Sequence, residues 1–396
     1  MTAPMSSPPV HKPVPPSALT PLPPAHTEDA REPAALAPPP PLRVIDAWRG
    51  LAALWVVMLH ACVPVIASRW PGLQTQPLFA ISLHGQLGVT LFFVISGYCI
   101  TRTALWARGK PRPTTRFMGA RLRRIYPPYL ATSALVVLLS TLLAVLVNRG
   151  VLQRSSLASV DFFHHGFLYY FSAATLTQVP LRQELILPVF WSLSYEVAFY
   201  LIVAVALRAT SRAASASGLL WTLHGITFTA LLGLLLAPQS CPFPLNLWPQ
   251  FGLGALALHV AVAPDRLLPK AATGLAMLLG LAHGWQAPWG PELGKASPLA
   301  QALVSAAFAG ALLALQAWDA RLARWRLVGF CAWVGTFSYS LYLTHLLALG
   351  AVSQLMSRLG VTPSTFWMAF VVQVALSVFF ARVFFAVCER PFMTRR

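Results

Sequence analysis

Apolar runs of about twenty residues recur in this chain between residues 44 and 388, and about twenty is the number an α-helix needs to cross the hydrocarbon core of a bilayer. Only 10% of the 396 residues are charged and the mean hydropathy is +0.63. A soluble domain carries about 25% charged residues, so a water-soluble fold is excluded, and a disordered one is excluded by the high apolar content. The expected fold is an all-α polytopic integral membrane protein, a bundle of about ten transmembrane helices. The predicted spans are 44–66, 84–106, 127–147, 188–208, 218–237, 243–263, 269–285, 298–318, 328–352 and 364–388. The aromatic stretch 161–178 is expected to lie at an interface or to re-enter; as an eleventh span it would invert everything after it.

Residues 1–42 hold 14 of the 34 prolines. Such a segment cannot bury a core, so it is expected to be a disordered cytoplasmic tail ahead of a membrane domain over 43–396. It has no apolar h-region, so it does not read as a signal peptide. The net charge of +18 raises nucleic-acid binding as a possibility, but the positions of the charges answer it. With the N-terminus inside, 20 Lys and Arg fall in cytoplasmic segments or, as Arg208 and Lys270, at the cytoplasmic ends of spans; six fall on the far side, and Arg49, Arg102 and Arg382 lie deeper within spans. That asymmetry predicts both termini in the cytoplasm and no nucleic-acid partner. Cys62, Cys99, Cys241, Cys331 and Cys388 are scattered, without metal-ligand or disulfide spacing.

Ionisable residues within spans are functional suspects. The first span carries Asp46, Arg49 and His60. Eleven helical steps return to within about 20° of the starting azimuth, so Arg49 and His60 project from one face, roughly 16 Å apart along the axis. Asp46, one turn before Arg49, is placed to pair with it. A cation near the cytosol that holds an anion, with an imidazole deeper in as general base, is one reading. An interfacial ion pair with a histidine bonded between helices is the other. Ser192, Glu196 and Tyr200 form a polar stripe at i, i+4, i+8 beside Trp191, and Ser338, Tyr342 and His345 form another. The three spans could line one polar cavity, or these groups could simply bond between helices. In the loop between spans two and three, Arg121 and Arg124 are one turn apart if helical, which suits a pyrophosphate. An anchor on anionic lipid is the simpler reading of that cluster. His224, His259 and His283 read as packed polar residues. No zinc-protease, serine-elbow or phosphate-loop pattern is present.

The ordered set Ile45-Asp46-Ala-Trp-Arg49-Gly50 with His60, Gly88 to Gly97 (including Ser96), Arg121-Leu-Arg-Arg124, Trp191-Ser-Leu-Ser-Tyr-Glu196 with Tyr200, Phe337 to Leu343 with His345, and Glu389-Arg-Pro391 resembles the bacterial membrane-bound acyltransferase type 3 family. The resemblance implies transfer of an acyl group, with acetyl the first choice, from cytoplasmic acyl-CoA to a hydroxyl of a carbohydrate or glycolipid at the inner membrane. Acyl-CoA is then a co-substrate, no cofactor or metal is held, and membrane lipid surrounds the protein. It implies Arg49 and His60 as the catalytic pair, joined by Glu196, and Arg49, Arg121 and Arg124 on the CoA phosphates. Asp46, Ser96, Trp191, Ser192, Tyr200, Ser338, Tyr342 and His345 become substrate-pocket residues. Thr90 stands where many members have an acid, and Val197-Ala198 follow Glu196 where a second acid and Gln are frequent. These departures bear on the acceptor, which together with the oligomeric state is left open. A transporter or flippase of a lipid-linked or acylated sugar is the alternative from another class.

Overall fold

Backbone polar groups in a bilayer must be satisfied within the protein, and a computed structural model meets that condition with helices alone throughout its described residues, 42–68, 71–150, 162, 165–211, 217–286, 296–359 and 362–393. The proline-rich tail expected over 1–42 lies outside them apart from Leu42. The long helices are α1 (Ile45–Ser68), α2 (Leu87–Arg108), α3 (Pro113–Asn148), α4 (Trp191–Thr210), α5 (Ser217–Leu236), α6 (Trp248–Val262), α7 (Leu267–Gln286), α8 (Pro298–Ala314), α9 (Arg326–Gly335), α10 (Ser338–Leu359) and α11 (Phe366–Phe384). Each predicted span falls on one of them or, for the ninth, on the pair α9–α10.

Among the described residues, seven helical segments are long and apolar enough to cross a membrane, and eight if α9 and α10, bent by 77° across Thr336 and Phe337, form one span. Two of the ten expected spans fall short of that standard for different reasons. With 15 residues, α6 reaches only about 22 Å at 1.5 Å per residue. α7 has 20 residues but carries Lys270 and His283 near its ends. In the aromatic stretch the described helix is Phe167–Thr175, nine residues and about 14 Å, so it cannot be an eleventh crossing. A third difference concerns the arginine cluster. It is not a loop, because α3 begins at Pro113 and runs 36 residues through Pro127 and Pro128, placing Arg116 to Arg124 on its first turns.

Two glycine contacts set the packing around the site. A Cβ on Gly50 would collide with the Cys331 carbonyl, and one on Gly335 with the Asp46 carbonyl, so α1 and α9 touch backbone to backbone. Gly97 and Gly254 do the same for α2 and α6, against the carbonyls of Phe251 and Val94. The start of α1 is fixed by Asp319, whose carboxylate accepts from the backbone N–H of Arg43 at 2.9 Å and of Val44 at 3.0 Å. A carboxylate there satisfies free donors and complements the helix dipole. At the bend, α10 starts inside the protein, and buried Glu389 accepts from the backbone N–H of Ser340 at 3.1 Å and from its hydroxyl. The Glu-Arg-Pro motif thus anchors the first turn of a half-helix.

Candidate active site

Three helices converge on one polar cavity through residues spaced one turn apart. α1 contributes Arg49, α4 contributes Ser192, Glu196 and Tyr200, and α10 contributes Ser338 and Tyr342. Ser96 and Cys99 of α2, the guanidinium pair Arg121 and Arg124 of α3, and Tyr339 of α10 add to its polar lining. With its mouth included, the cavity measures about 750 Å³.

Within it the charges are arranged by hydrogen bonds. Arg49 pairs with Asp46 at 3.1 Å, as the one-turn spacing predicts. Asp46 does not line the cavity; its role in the structure is to hold Arg49. Glu196 accepts from the hydroxyls of Tyr200 and, at 3.4 Å, Ser96. Arg121 donates to Thr103 at 2.7 Å and lies over the rings of Phe117 and Tyr200. Arg124 makes no hydrogen bond or ion pair among the described residues, so its guanidinium donors are available to a ligand. A planar fork of N–H donors beside two further arginines is suited to phosphate or pyrophosphate oxygens.

His60 lines a different cavity, together with Trp191, Gln86, Pro188 and Leu59. The three spans do share one cavity, but His60 lies outside it, although its azimuth puts it on the same face of α1 as Arg49. Val89 and Tyr342 line both cavities and stand where the two adjoin, a partial wall between them. Tyr342 is held there by donating to the Val189 carbonyl at 2.9 Å and by a 2.8 Å bond with Ser192. Trp191 goes with His60, packed edge-on against Phe93 at 6.1 Å.

His345 lines neither cavity. It is fully buried behind His60, with its Nδ1 at 2.8 Å from the Tyr342 carbonyl and its Nε2 at 3.3 Å from His60 Nδ1. His60 Nδ1 also lies 2.9 Å from the Val56 carbonyl. A carbonyl can only accept, so each Nδ1 carries the proton and each Nε2 the lone pair. Among the described residues His60 Nε2 has no hydrogen-bond partner. That is the state required of a base.

Thr103, which seats Arg121, Gln86 beside His60, and Glu389 behind α10 were not among the site residues expected from sequence. Glu389 carried a signal in its Glu-Arg-Pro motif; Thr103 and Gln86 carried none, because their roles depend on partners 18 and 210 residues away. Among the described residues no three His, Cys, Asp or Glu side chains are grouped to hold a metal ion.

The acyltransferase domain family matches residues 42–385. The chain is 29% identical over 322 residues to BcsY of Komagataeibacter xylinus, which carries the name of a membrane-bound transacylase; the match covers 76% of this chain and 72% of that protein. No solved structure matches.

Proposed function

The chain belongs to this family of acyltransferases, and from that premise we propose that it transfers an acyl group, acetyl first, from cytoplasmic acyl-CoA to a hydroxyl of a carbohydrate or glycolipid acceptor. On this reading it sits in a bacterial inner membrane, crosses it ten times, and keeps both termini in the cytoplasm. The excess of Lys and Arg in the cytoplasmic segments supports that orientation. So does the gathering of Arg49, Arg121 and Arg124 on one cavity near the start of α1, the end that this orientation puts inside.

The observation that carries the reading is the pair of cavities with Tyr342 and Val89 between them. Arg49, Arg121 and Arg124 bind the CoA phosphates on one side, and His60 waits on the other. Where the two cavities adjoin, beside Tyr342, His60 Nε2 takes the proton from the acceptor hydroxyl as its oxygen attacks the thioester carbonyl. The C–O bond forms, the C–S bond breaks, and the CoA thiolate leaves and recovers the proton from the imidazolium. General-base assistance of this kind contributes about 10²–10⁴-fold.

The test uses inverted membrane vesicles bearing wild-type or His60→Ala protein, supplied with labelled acetyl-CoA and host glycan or lipid extract. Label should enter an alkali-labile ester with wild type only. Transfer by His60→Ala at the wild-type rate would remove His60 from the mechanism. Failure of wild type across longer acyl-CoAs and other acceptors, with sugar movement indifferent to acyl-CoA, would favour a transporter.

A further inference from the structure

The cavity that His60 lines measures about 570 Å³ with its mouth, and four of its side chains are polar: His60, Gln86, Trp191 and Tyr342. His60 Nε2 offers a lone pair, because the Val56 carbonyl holds the proton on Nδ1. Gln86 comes to the cavity as a donor alone. Its amide oxygen is taken by the Ala296 N–H at 2.8 Å, and its amide nitrogen has no hydrogen-bond partner among the described residues. The Trp191 indole N–H has none either. Both residues are half-buried, and neither nitrogen belongs to the fully buried, unpartnered atoms. The Tyr342 hydroxyl is already bonded to Val189 and Ser192.

Gln86 is held in this orientation from behind. The Ala296 carbonyl accepts from Gln301 at 3.0 Å, and Ser297 caps α8 by accepting from the Ala300 N–H at 3.1 Å. The residue that seats Gln86 is thus tied to the first turn of α8. A fixed amide N–H asks for an oxygen. A molecule that gives one hydroxyl proton to His60 and presents a second oxygen to Gln86 meets both demands, whereas a lone alcohol leaves the amide unpaired. No Arg, Lys, Asp or Glu lines this cavity, so an ammonium there meets no counter-ion. A carboxylate would meet only His60 and favour its protonated form, which is no longer a base.

We propose that Gln86 determines acceptor specificity: it selects a neutral polyol in which one hydroxyl donates to His60 Nε2 and a second oxygen accepts from the Gln86 amide. The proposal rests on the reading of His60 as the base that faces the acceptor. It narrows that reading, because simple alcohols and acceptors charged beside the reacting hydroxyl are excluded. An ether oxygen serves Gln86 as well as a hydroxyl does, since only a lone pair is needed.

The experiment uses the full chain in nanodiscs of neutral phospholipid and a diazirine-bearing trans-1,2-cyclohexanediol as the photoreactive probe. Label should enter the peptides that contain Gln86 and Trp191, and saturate. Two competitors differ by O for CH₂: trans-2-methoxycyclohexanol and trans-2-ethylcyclohexanol. In wild type the ether should displace the probe at a concentration lower by about tenfold, and trans-2-aminocyclohexanol, as its ammonium, should do no better than the ethyl compound. In Gln86→Leu the two competitors should become equal. The change in their ratio between wild type and variant cancels any difference in membrane partitioning. If Gln86→Leu does not fold, Gln86→Met replaces it. Binding is read without acyl-CoA, so failure of acyl transfer and failure of this site are separate results. Equal displacement in wild type, a preference for the ether that survives loss of Gln86, displacement by the ammonium as strong as by the ether, or label that does not saturate would overturn the proposal.

Discussion

His345 Nε2 faces His60 Nδ1 at 3.3 Å, with the far nitrogen of His345 fixed on the Tyr342 carbonyl. The pair forms a hydrogen-bonded relay: the Tyr342 carbonyl sets the proton on His345, the Val56 carbonyl sets it on His60, and His345 Nε2 holds the His60 ring as a second acceptor. A side chain that only lined the pocket would alter acceptor affinity. One that positions the base alters the chemical step. His345→Leu should therefore lower kcat for acyl transfer by about tenfold or more, since an imidazole held at one contact fewer loses its orientation toward the acceptor hydroxyl, with little change in KM for the acyl donor. His345→Gln, which can still present an acceptor oxygen, should recover part of the loss. Equal defects in the two variants, or a change confined to KM, would argue against the relay.

Of the three cavity arginines, Arg121 and Arg124 should separate into a binder that also packs and a binder alone. Arg124 makes no hydrogen bond or ion pair among the described residues, whereas Arg121 is bonded to Thr103 and laid over Tyr200. A hydrogen bond to a charged group contributes about 1.5–3 kcal/mol, or roughly 10–100-fold in affinity. Arg124→Ala is expected to raise KM for acyl-CoA by about tenfold or more and to leave thermal stability unchanged. Arg121→Ala should raise it similarly and also lower the unfolding temperature. Donor kinetics and a thermal-shift assay on each variant check both halves.

Helix packing predicts a contrast between two glycines. Gly97 lies against the Phe251 carbonyl, and backbone cannot yield as a flexible side chain can. Gly97→Val should cost about 3 kcal/mol or more, in the range of severe overpacking, and be seen as lost monodisperse protein. Gly119 has open space around its missing Cβ, so Gly119→Ala should express and melt like wild type.

Much of this architecture could be read from periodicity because the physics is local. Twenty apolar residues make a helix, and i, i+4 spacing puts Ser192, Glu196 and Tyr200 on one face, where all three line one cavity. What could not be read depends on neighbours distant in sequence. The azimuth of His60 matched that of Arg49, yet Val89 and Tyr342 put a partial wall between them. His345 shares a stripe with Ser338 and Tyr342 but is covered by His60, so it reaches no cavity. The depth of α6 was hidden too, because a 15-residue helix packed on Gly97 reads by composition like part of a full span. Gln86 gave no signal, since an amide in an apolar segment reveals neither its partner nor the lack of one.

Tyr342 provides a test of the divided site itself. Its ring fills the wall while its hydroxyl anchors it to Val189 and Ser192. Tyr342→Phe keeps the ring, and Ser192, already 3.3 Å from the Val189 carbonyl, can satisfy that acceptor alone. The cost should be about 1 kcal/mol of stability, with acyl transfer largely intact. Tyr342→Ala removes the ring and widens the opening where the two cavities adjoin. Water can then reach the thioester in place of the acceptor hydroxyl, giving free acid and CoA by the same bond changes. Exclusion of water is what suppresses such side reactions in closed sites. The ratio of acyl-CoA hydrolysis to acyl transfer, measured as thiol release against ester label, should rise by about fivefold or more in Tyr342→Ala and remain near wild type in Tyr342→Phe. If Tyr342→Ala couples thiol release to ester formation as tightly as wild type, the wall is not what keeps donor and water apart, and the two-cavity mechanism loses its support.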